Sequence, residues 1–292
     1  MHRLGLACVA IVLMTANGAS AFCRLTTAEP SGGTCSTQGR GLAWDRQCIS
    51  YTVVPRVQQN IALDAIRDTI DTSFEQWVAV QCNTGPIPLS LGQTERLGEC
   101  TTAQYNQFGP NANTIMFLNT WEGEDFPSEA FGLTLVWHDP RSGEIFDADM
   151  QLNETIAPIA LCDHGCDRSV VDLANVVTHE AGHFLGLGHS NVGGATMSAN
   201  ALLGETSKRS LEQDDRDGLC SIYARLPPAM CDAQAGDFSP DRGFSARCGS
   251  DDPDKSGCST QQPLRSSVPG ASFTLAGIAL ALVAWRRRST KR

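Results

Sequence analysis

Three histidines and one glutamate lie within eleven consecutive residues, at a spacing that suits one metal ion. His179 and His183 are four residues apart, so on a helix both imidazoles lie on the same face. Glu180 comes out beside the pair, close enough to take a proton from a water molecule at the ion. Gly186 tolerates the left-handed conformation that ends a helix, so the chain can turn back and bring in His189 as a third ligand. Three imidazoles that leave a fourth position open are typical of catalytic zinc, and the pattern therefore predicts hydrolysis.

Met197 lies in a short segment of small residues after the third histidine. The histidine motif followed by this methionine resembles the metzincin metalloproteases, whose long zinc motif precedes a Met-turn. Ser190, directly after the third histidine, resembles the matrixin branch of that group. The resemblance implies that Met197 forms an apolar floor under the imidazoles and does not bind zinc. The alternative, a helix with incidental histidines, is disfavoured because half of the chain's six histidines fall inside the motif.

The charges of such a site define the expected reaction. Zinc lowers the pKa of a bound water molecule and polarises the scissile carbonyl. Glu180 would accept the proton of the water and then deliver a proton to the departing amine. We therefore expect a zinc-dependent endopeptidase that hydrolyses extracellular proteins or peptides. The alternative is a surface binding protein that keeps the metzincin fold without cleaving.

Hydrophobic periodicity predicts the elements that must position these residues. Apolar residues recur with a helical period over residues 60–82, which predicts a long amphipathic helix. Alternating or β-branched runs predict strands at residues 48–54, 88–92, 114–118, 132–138 and 144–153. The last two are joined by a loop with strong turn chemistry, so we expect them to pair.

Two further helices are predicted around the motif. The zinc helix should run from residue 173 to about residue 185, with Ser169 as its N-cap and Asp172 three residues later. The last helix is predicted at residues 211–223, with aspartates at the end where the helix dipole favours negative charge, and none of them is expected to bind metal. This order resembles a matrixin catalytic domain. The implied fold is α+β and metzincin (zincin-like), with a twisted mixed sheet, a long N-terminal helix, an active-site helix and a C-terminal helix.

By the same resemblance, the strand around Asp147 and Asp149 would be the sheet edge on which an extended peptide binds as an added strand. The simpler interpretation is that both are solvent-facing strand residues. Paired carboxylates also suit calcium, but no glycine-rich calcium loop is recognisable, so the sequence supports zinc and leaves calcium as an open alternative. Substrate preference would depend on a pocket beside His179 and on its wall at residues 198–205. The sequence alone does not give the shape of either.

Composition divides the 292 residues into four segments. Residues 1–21 are typical of a signal peptide, with a positive start, an apolar run and small residues at the end. Residues 22–225 are expected to form the catalytic domain. Residues 226–257 are rich in proline, serine, glycine and aspartate and predict a flexible, cysteine-containing linker. Residues 258–292 are predicted to be a C-terminal sorting or transmembrane tail.

The tail combines a glycine–cysteine pair, a short apolar run at residues 271–285 and an arginine cluster. These features resemble the MYXO-CTERM sorting tails of bacterial surface proteins, in which the cysteine, here Cys258, is the processing and anchoring point. A plain C-terminal membrane helix is the alternative, although the apolar run is short for one. We therefore expect an exported protein, anchored at the cell surface or outer membrane through this tail or released outside the cell, and monomeric.

Export makes disulfides the expected state of the cysteines. Of the twelve cysteines, Cys8 lies in the predicted signal peptide and Cys258 is set aside for anchoring, so the remaining ten could form five bridges. Proximity in sequence suggests one bridge between residues 162 and 166 and another between residues 82 and 100. A zinc site formed by residues 162, 164 and 166 is the less favoured alternative.

Two further properties limit the possible functions. The formal net charge is -10, from 32 acidic and 22 basic residues, and there is no basic patch, so we expect no binding to nucleic acid. Neither Cys23 nor Cys35 lies in a Pro-Arg-Cys-Gly motif, so we expect no latency through a propeptide cysteine.

Overall fold

The computed structural model of the protein describes residues 22–28, 35–54, 61–95, 97–98, 102–106, 111–122, 126–163, 165–232 and 264–269. The predicted signal peptide at residues 1–21, Cys258 and the apolar run at residues 271–285 lie outside these residues. Within the described part of the chain, no helix is both long enough and apolar enough to cross a membrane.

A six-stranded mixed sheet forms the centre of an α+β fold. Its strands, in chain order, are β1 Cys48–Val53, β2 Ser90–Gln93, β3 Thr114–Leu118, β4 Ala130–His138, β5 Ile145–Asn153 and β6 Leu264–Pro269. They lie side by side in the order β6-β4-β5-β3-β1-β2. β1 is parallel to β2 and β3, and β3 is parallel to β5, whereas β4 is antiparallel to both of its neighbours, β5 and β6. The sheet is therefore parallel on one side and antiparallel on the other.

The prediction that the strand with Asp147 and Asp149 forms the sheet edge is wrong. That strand is β5, and it is paired on one side with β4 and on the other with β3. The other strand of the predicted pair, β4, lies nearer the edge, and β6 pairs with its outer side. Alternation identified both strands of the hairpin, but it carries no information on which of the two turns outwards.

Two α-helices pack against one face of the sheet, and a third α-helix lies at the C-terminal end of the domain. They are α1 Leu63–Val78, α2 Leu173–Phe184 and α3 Gln213–Tyr223. The apolar face of α1 and that of α2 pack with the sheet into one core, which contains Ile70, Phe74, Val177 and Phe184. Trp77 of α1 donates its indole N–H to the carbonyl of Thr178 at 2.9 Å, which fixes α1 against α2 without an unpaired buried donor.

The zinc-motif helix α2 begins at Leu173, as predicted, but the predicted N-cap residue is not the one that caps it. Its N-cap is Asp172, whose carboxylate accepts the backbone N–H of Asn175 at 2.8 Å, and the prediction of Ser169 is wrong. The reason is that Val171–Asp172 is extended and pairs with Ile159–Ala160, so helical geometry cannot start at Ser169. Arg209 holds the other side of Asp172 in an ion pair at 2.5 Å.

Four disulfides lie among the described residues. Cys162–Cys166 confirms the predicted local bridge, and it leaves no free thiolates there for a second zinc site. The predicted bridge between residues 82 and 100 is wrong, because Cys82 pairs with Cys220 of α3. The other two bridges are Cys23–Cys35 and Cys48–Cys231. Long-range pairs such as these depend on the fold and cannot be read from the spacing of cysteines.

Candidate active site

The structure brings the three histidines of the motif together at the C-terminal end of α2. The Nε2 atom of His183 lies 3.1 Å from Nε2 of His179 and 3.2 Å from Nε2 of His189. His179 and His183 project from successive turns of the helix and are fully buried, whereas His189 follows the helix and is partly exposed. Three ring nitrogens therefore converge on one point.

A sharp turn after α2 places His189. Gly186 has a φ of +90°, and a side chain there would also meet the carbonyl oxygen of Leu42 at 2.7 Å, so glycine is required on both grounds. The next two residues, Leu187–Gly188, pair antiparallel with Cys23–Arg24. The pairing with Cys23–Arg24 thus stabilises the turn that positions the imidazole of His189.

Backbone carbonyls fix the tautomers of the two helical histidines. Nδ1–H of His179 donates to the carbonyl of Thr196 at 2.6 Å, and Nδ1–H of His183 donates to the carbonyl of Leu187 at 2.8 Å. Burial lowers the pKa of both imidazoles well below the ordinary value, and repulsion from neighbouring positive groups lowers each further. Both rings are therefore neutral at pH 7, and each presents the lone pair of Nε2 to the point of convergence.

This donor set fits zinc. Zinc binds imidazole nitrogen at about 2.0–2.1 Å, so tetrahedral ligands lie about 3.3 Å apart. The observed separations of 3.1 Å and 3.2 Å are close to that value. Neutral rings that crowd their lone pairs together repel one another unless a cation lies between them, and no proton is available for that purpose at pH 7.

Glu180 lies beside the histidines and faces β4. The hydroxyl of Thr134 donates to Oε2 of Glu180 at 2.7 Å, which holds the orientation of the carboxylate. Gly132, also on β4, leaves the space for this side chain, since a Cβ atom there would come within 2.8 Å of Oε1. Nothing in the sequence pattern pointed to Thr134, because the contact joins a strand to a helix 46 residues away.

Met197 lies directly against α2. Its thioether occupies the space where a side chain at Gly182 would be, so the glycine of the motif allows the methionine to approach the helix. The turn is held by Asp215 of α3, which accepts the backbone N–H of Thr196 at 2.8 Å and that of Met197 at 2.9 Å. Asp215 is fully buried, and these hydrogen bonds give it a structural role.

Lys208 is a buried cation that sequence reasoning missed. It is 2% exposed, and its ammonium group donates to the carbonyls of Thr196 and Ser198 on either side of Met197. Burial lowers its pKa to about 8. The carbonyl of Thr196 therefore receives hydrogen bonds from both Lys208 and His179, which couples the turn to a candidate metal ligand.

Asp147 and Asp149 are both buried, so the interpretation of them as solvent-facing residues is wrong. Asp149 accepts the backbone N–H groups of Gln104 at 2.9 Å and Thr114 at 2.8 Å, and it also accepts the hydroxyl of Thr114. One oxygen of Asp147 has no hydrogen-bond partner among the described residues. Burial raises the pKa of Asp147 well above its ordinary value and raises that of Asp149 to about 7.

The two aspartates do not form part of a larger ligand cluster. Among the described residues, no third carboxylate, imidazole or thiolate converges with them. The geometry therefore adds no support to the calcium alternative.

Comparison with known proteins gives one family. The family model described as Matrixin matches residues 43–224. The chain is 54% identical over 197 residues to neutrophil collagenase of Homo sapiens, which covers 66% of this chain and 36% of that protein. It is 40% identical over 188 residues to metalloendoproteinase 5-MMP of Arabidopsis thaliana, which covers 61% of this chain and 44% of that protein.

Metalloendoproteinase 1-MMP of Arabidopsis thaliana is 27% identical over 195 residues, which covers 65% of this chain and 47% of that protein. The chain thus spans less than half the length of these curated relatives. The Matrixin match contains all three histidines, Glu180 and Met197.

Proposed function

The chain belongs to the matrixin family, and from this premise we propose that it is a zinc-dependent endopeptidase that hydrolyses peptide bonds of extracellular proteins. The convergence of three neutral ring nitrogens beside a positioned carboxylate carries the proposal. His179, His183 and His189 would hold the zinc. When bound, this ion lowers the pKa of a water molecule and polarises the scissile carbonyl.

The chain's own residues do the remaining work. Glu180 accepts a proton from the attacking water and gives one to the departing amine. Thr134 holds Oε2 of Glu180 and so keeps the carboxylate in one orientation during both transfers. The side of β4 that pairs with β6 carries a row of backbone donors and acceptors, and an extended peptide could bind there as an added strand in place of β6. Because Thr134 belongs to β4, the substrate strand and the catalytic carboxylate would be aligned by the same element.

Replacement of Glu180 by glutamine tests the assignment of the base. Glu180→Gln should keep one zinc ion per chain, because it leaves the three imidazoles intact, and should lower kcat on an unfolded protein substrate by about a thousandfold. Metal content and chelator-sensitive cleavage would be measured on the same preparations. Wild-type activity in Glu180→Gln would refute the role of this residue. Bound zinc without cleavage of any member of a peptide library by the wild-type protein would instead favour the surface binding protein.

We also propose that the protein is exported and monomeric, and that residues 258–292 anchor it at the cell surface or outer membrane before any release. The supporting observations are the signal-like residues 1–21, the tail composition and the disulfides, which suit an oxidising compartment. Fractionation of cells that express either the full chain or a chain ending at residue 257 would test this. The shorter chain should move from the membrane fraction to the medium, and an unchanged distribution would contradict the tail assignment.

A further inference from the structure

The outer side of β4 carries a strand from the far end of the chain. β6 pairs antiparallel with β4 from Leu264, which is opposite Val136, to Pro269, which is opposite Ala130. The register shifts once, between Val268 and Pro269. Proline has no N–H to donate, so it suits the last position of such a pairing. The sheet edge next to α2 is therefore occupied by the protein itself.

The occupied edge is the one that faces the candidate active site. Ser266 is opposite Thr134, whose hydroxyl bonds to Glu180. Val268 is opposite Gly132, the other residue of β4 that approaches the same carboxylate. β6 also lies close to α2, and in this arrangement the side chain of Glu180 is fully buried. The middle of β6 is thus level with the catalytic carboxylate.

We infer that residues 264–269 are an intramolecular occupant of the outer edge of β4 and that they compete there with extended peptide substrates. The inference rests on the proposed function for the meaning of the competition, though not for the pairing itself. It concerns the chain that still carries residues 258–292, because processing at Cys258 would separate β6 from the domain. Each backbone N–H and C=O on this side of β4 can serve one added strand at a time. A substrate that binds by strand addition must therefore displace β6.

Covalent connection makes this competition effective. Cys231 is bridged to Cys48 on β1, so the segment that leads to β6 starts from a fixed point. Residues 233–263 could span about 100 Å when extended, so their length does not prevent docking. A tethered strand has an effective concentration in the millimolar range, so a segment with a Kd of about 0.1 mM would be bound about nine-tenths of the time.

Deletion of residues 264–269 from the otherwise full-length protein tests the competition directly. With a short fluorogenic peptide as substrate, the deletion should raise kcat/KM by about tenfold through a lower KM, with kcat unchanged. The matched control removes residues 250–255, which shortens the connection by the same number of residues and keeps β6. This control should retain the wild-type kcat/KM. A synthetic peptide of sequence LRSSVP should restore inhibition of the deletion variant at millimolar concentration.

Two proline variants sharpen the test, because alternate residues of an edge strand donate their N–H groups towards the neighbouring strand. Ser266→Pro and Ser267→Pro are adjacent, so only one of them can remove an N–H that points to β4. One variant should therefore behave like the deletion, and the other should behave like wild type. Equal behaviour of both variants would overturn the strand pairing.

Hydrogen exchange gives a readout that does not need activity. In the Glu180→Gln background, which also prevents self-cleavage, deletion of residues 264–269 should speed exchange of the amides of residues 130–136. Unchanged exchange would overturn the docking, even if the wild-type protein is an active peptidase. Faster exchange together with a wild-type protein that has no peptidase activity would leave the docking intact and refute only the proposed function. Faster exchange would overturn the competition if the deletion leaves kcat/KM unchanged. Cleavage of the wild-type chain within residues 264–269 during the assay would also overturn it.

Discussion

Two clusters of buried ionisable side chains lie on opposite faces of the same sheet, and their polar atoms are arranged differently. On the α2 face, the rings of His179, His183 and His189 point their Nε2 atoms at one another. On the other face, Asp149 points its oxygens at separate donors, and one oxygen of Asp147 has no partner among the described residues. Burial alone therefore does not indicate a metal site, whereas the convergence of lone pairs does.

The supports of the two clusters also differ. The helical histidines are oriented by the backbone carbonyls of residues 187 and 196, on either side of the third ligand. Asp215 and Lys208 hold residue 196, and Cys23–Arg24 pair with residues 187 and 188. Asp149 is supported by backbone N–H groups of the neighbouring strand and of one loop. The comparison leads to three predictions, which concern the cation site, its support and the aspartate pair.

The largest effect is expected from removal of one converging nitrogen. His183→Ala should lose bound zinc, lower kcat/KM by at least about a thousandfold, and make the Tm insensitive to added zinc, because two imidazoles hold the ion far more weakly. Metal analysis, peptidase assays and thermal melts with and without zinc would measure these changes. Wild-type protein treated with chelator should match the variant, and a variant that still binds one zinc per chain would contradict the ligand set.

A smaller effect is expected from the support of the Met-turn. Asp215→Asn should lower the free energy of unfolding by about 3 kcal/mol, because one amide oxygen cannot replace a carboxylate that accepts three backbone N–H groups, those of Thr196, Met197 and Glu212. Zinc affinity should fall as well, since the turn orients His179. Urea unfolding and zinc titration would test this. Asp217→Asn, at an exposed position of the same helix, should change neither quantity.

The smallest effect concerns the aspartate pair and depends on pH. Because burial raises the folded-state pKa values of Asp147 and Asp149, the folded protein holds protons that the unfolded chain releases above about pH 4. The contribution of this pair to stability should therefore fall as pH rises from about 4 to 8. Asp147→Asn should flatten this slope and raise stability at pH 8 by about 1–2 kcal/mol, with unchanged kcat, in urea unfolding at pH 5 and pH 8.

Asp139 provides a control of opposite sign for that experiment. Backbone N–H groups of Ser142 and Arg141 donate to its carboxylate and hold its pKa below the ordinary value. Asp139→Asn should therefore not increase stability at pH 8. An equal gain in both variants would mean that general charge reduction, and not the release of protons from a buried pair, explains the result.

The sequence was most informative where chemistry is local. Histidines four residues apart on a helix, a glycine with positive φ and the periods of strands and helices are all properties of short stretches, and the structure shows the three histidines and Glu180 within one small region. Long-range contacts could not be predicted from these local patterns. Thr134 meets Glu180 across 46 positions, and Cys82 meets Cys220 across 138 positions, so neither contact leaves a signal in local spacing.

Polar residues in strands were the other source of error. Asp147, Asp149 and Gln151 alternate with apolar residues, which normally indicates one wet face. Here the polar face is covered, in part by the loop that contains Gln104, so all three side chains are buried. Alternation predicted the strand but could not reveal the segment that covers it. The strand β6 was missed for a related reason, because its pairing with β4 depends on a partner far away in the sequence.

The bridge between Cys48 and Cys231 determines how the domain would respond to mechanical force. A pull on the C-terminal tail of an anchored molecule acts first on the pairing of β6 with β4. Once β6 is detached, the load reaches Cys231 and passes through the sulfur atoms to the first residue of β1, which lies inside the sheet between β3 and β2. The load bypasses α3, whose Asp215 holds the Met-turn, so tension on the tether does not unwind the helix that supports the candidate zinc site. A nick in the chain between residues 224 and 231 would likewise leave the tail covalently attached to the sheet.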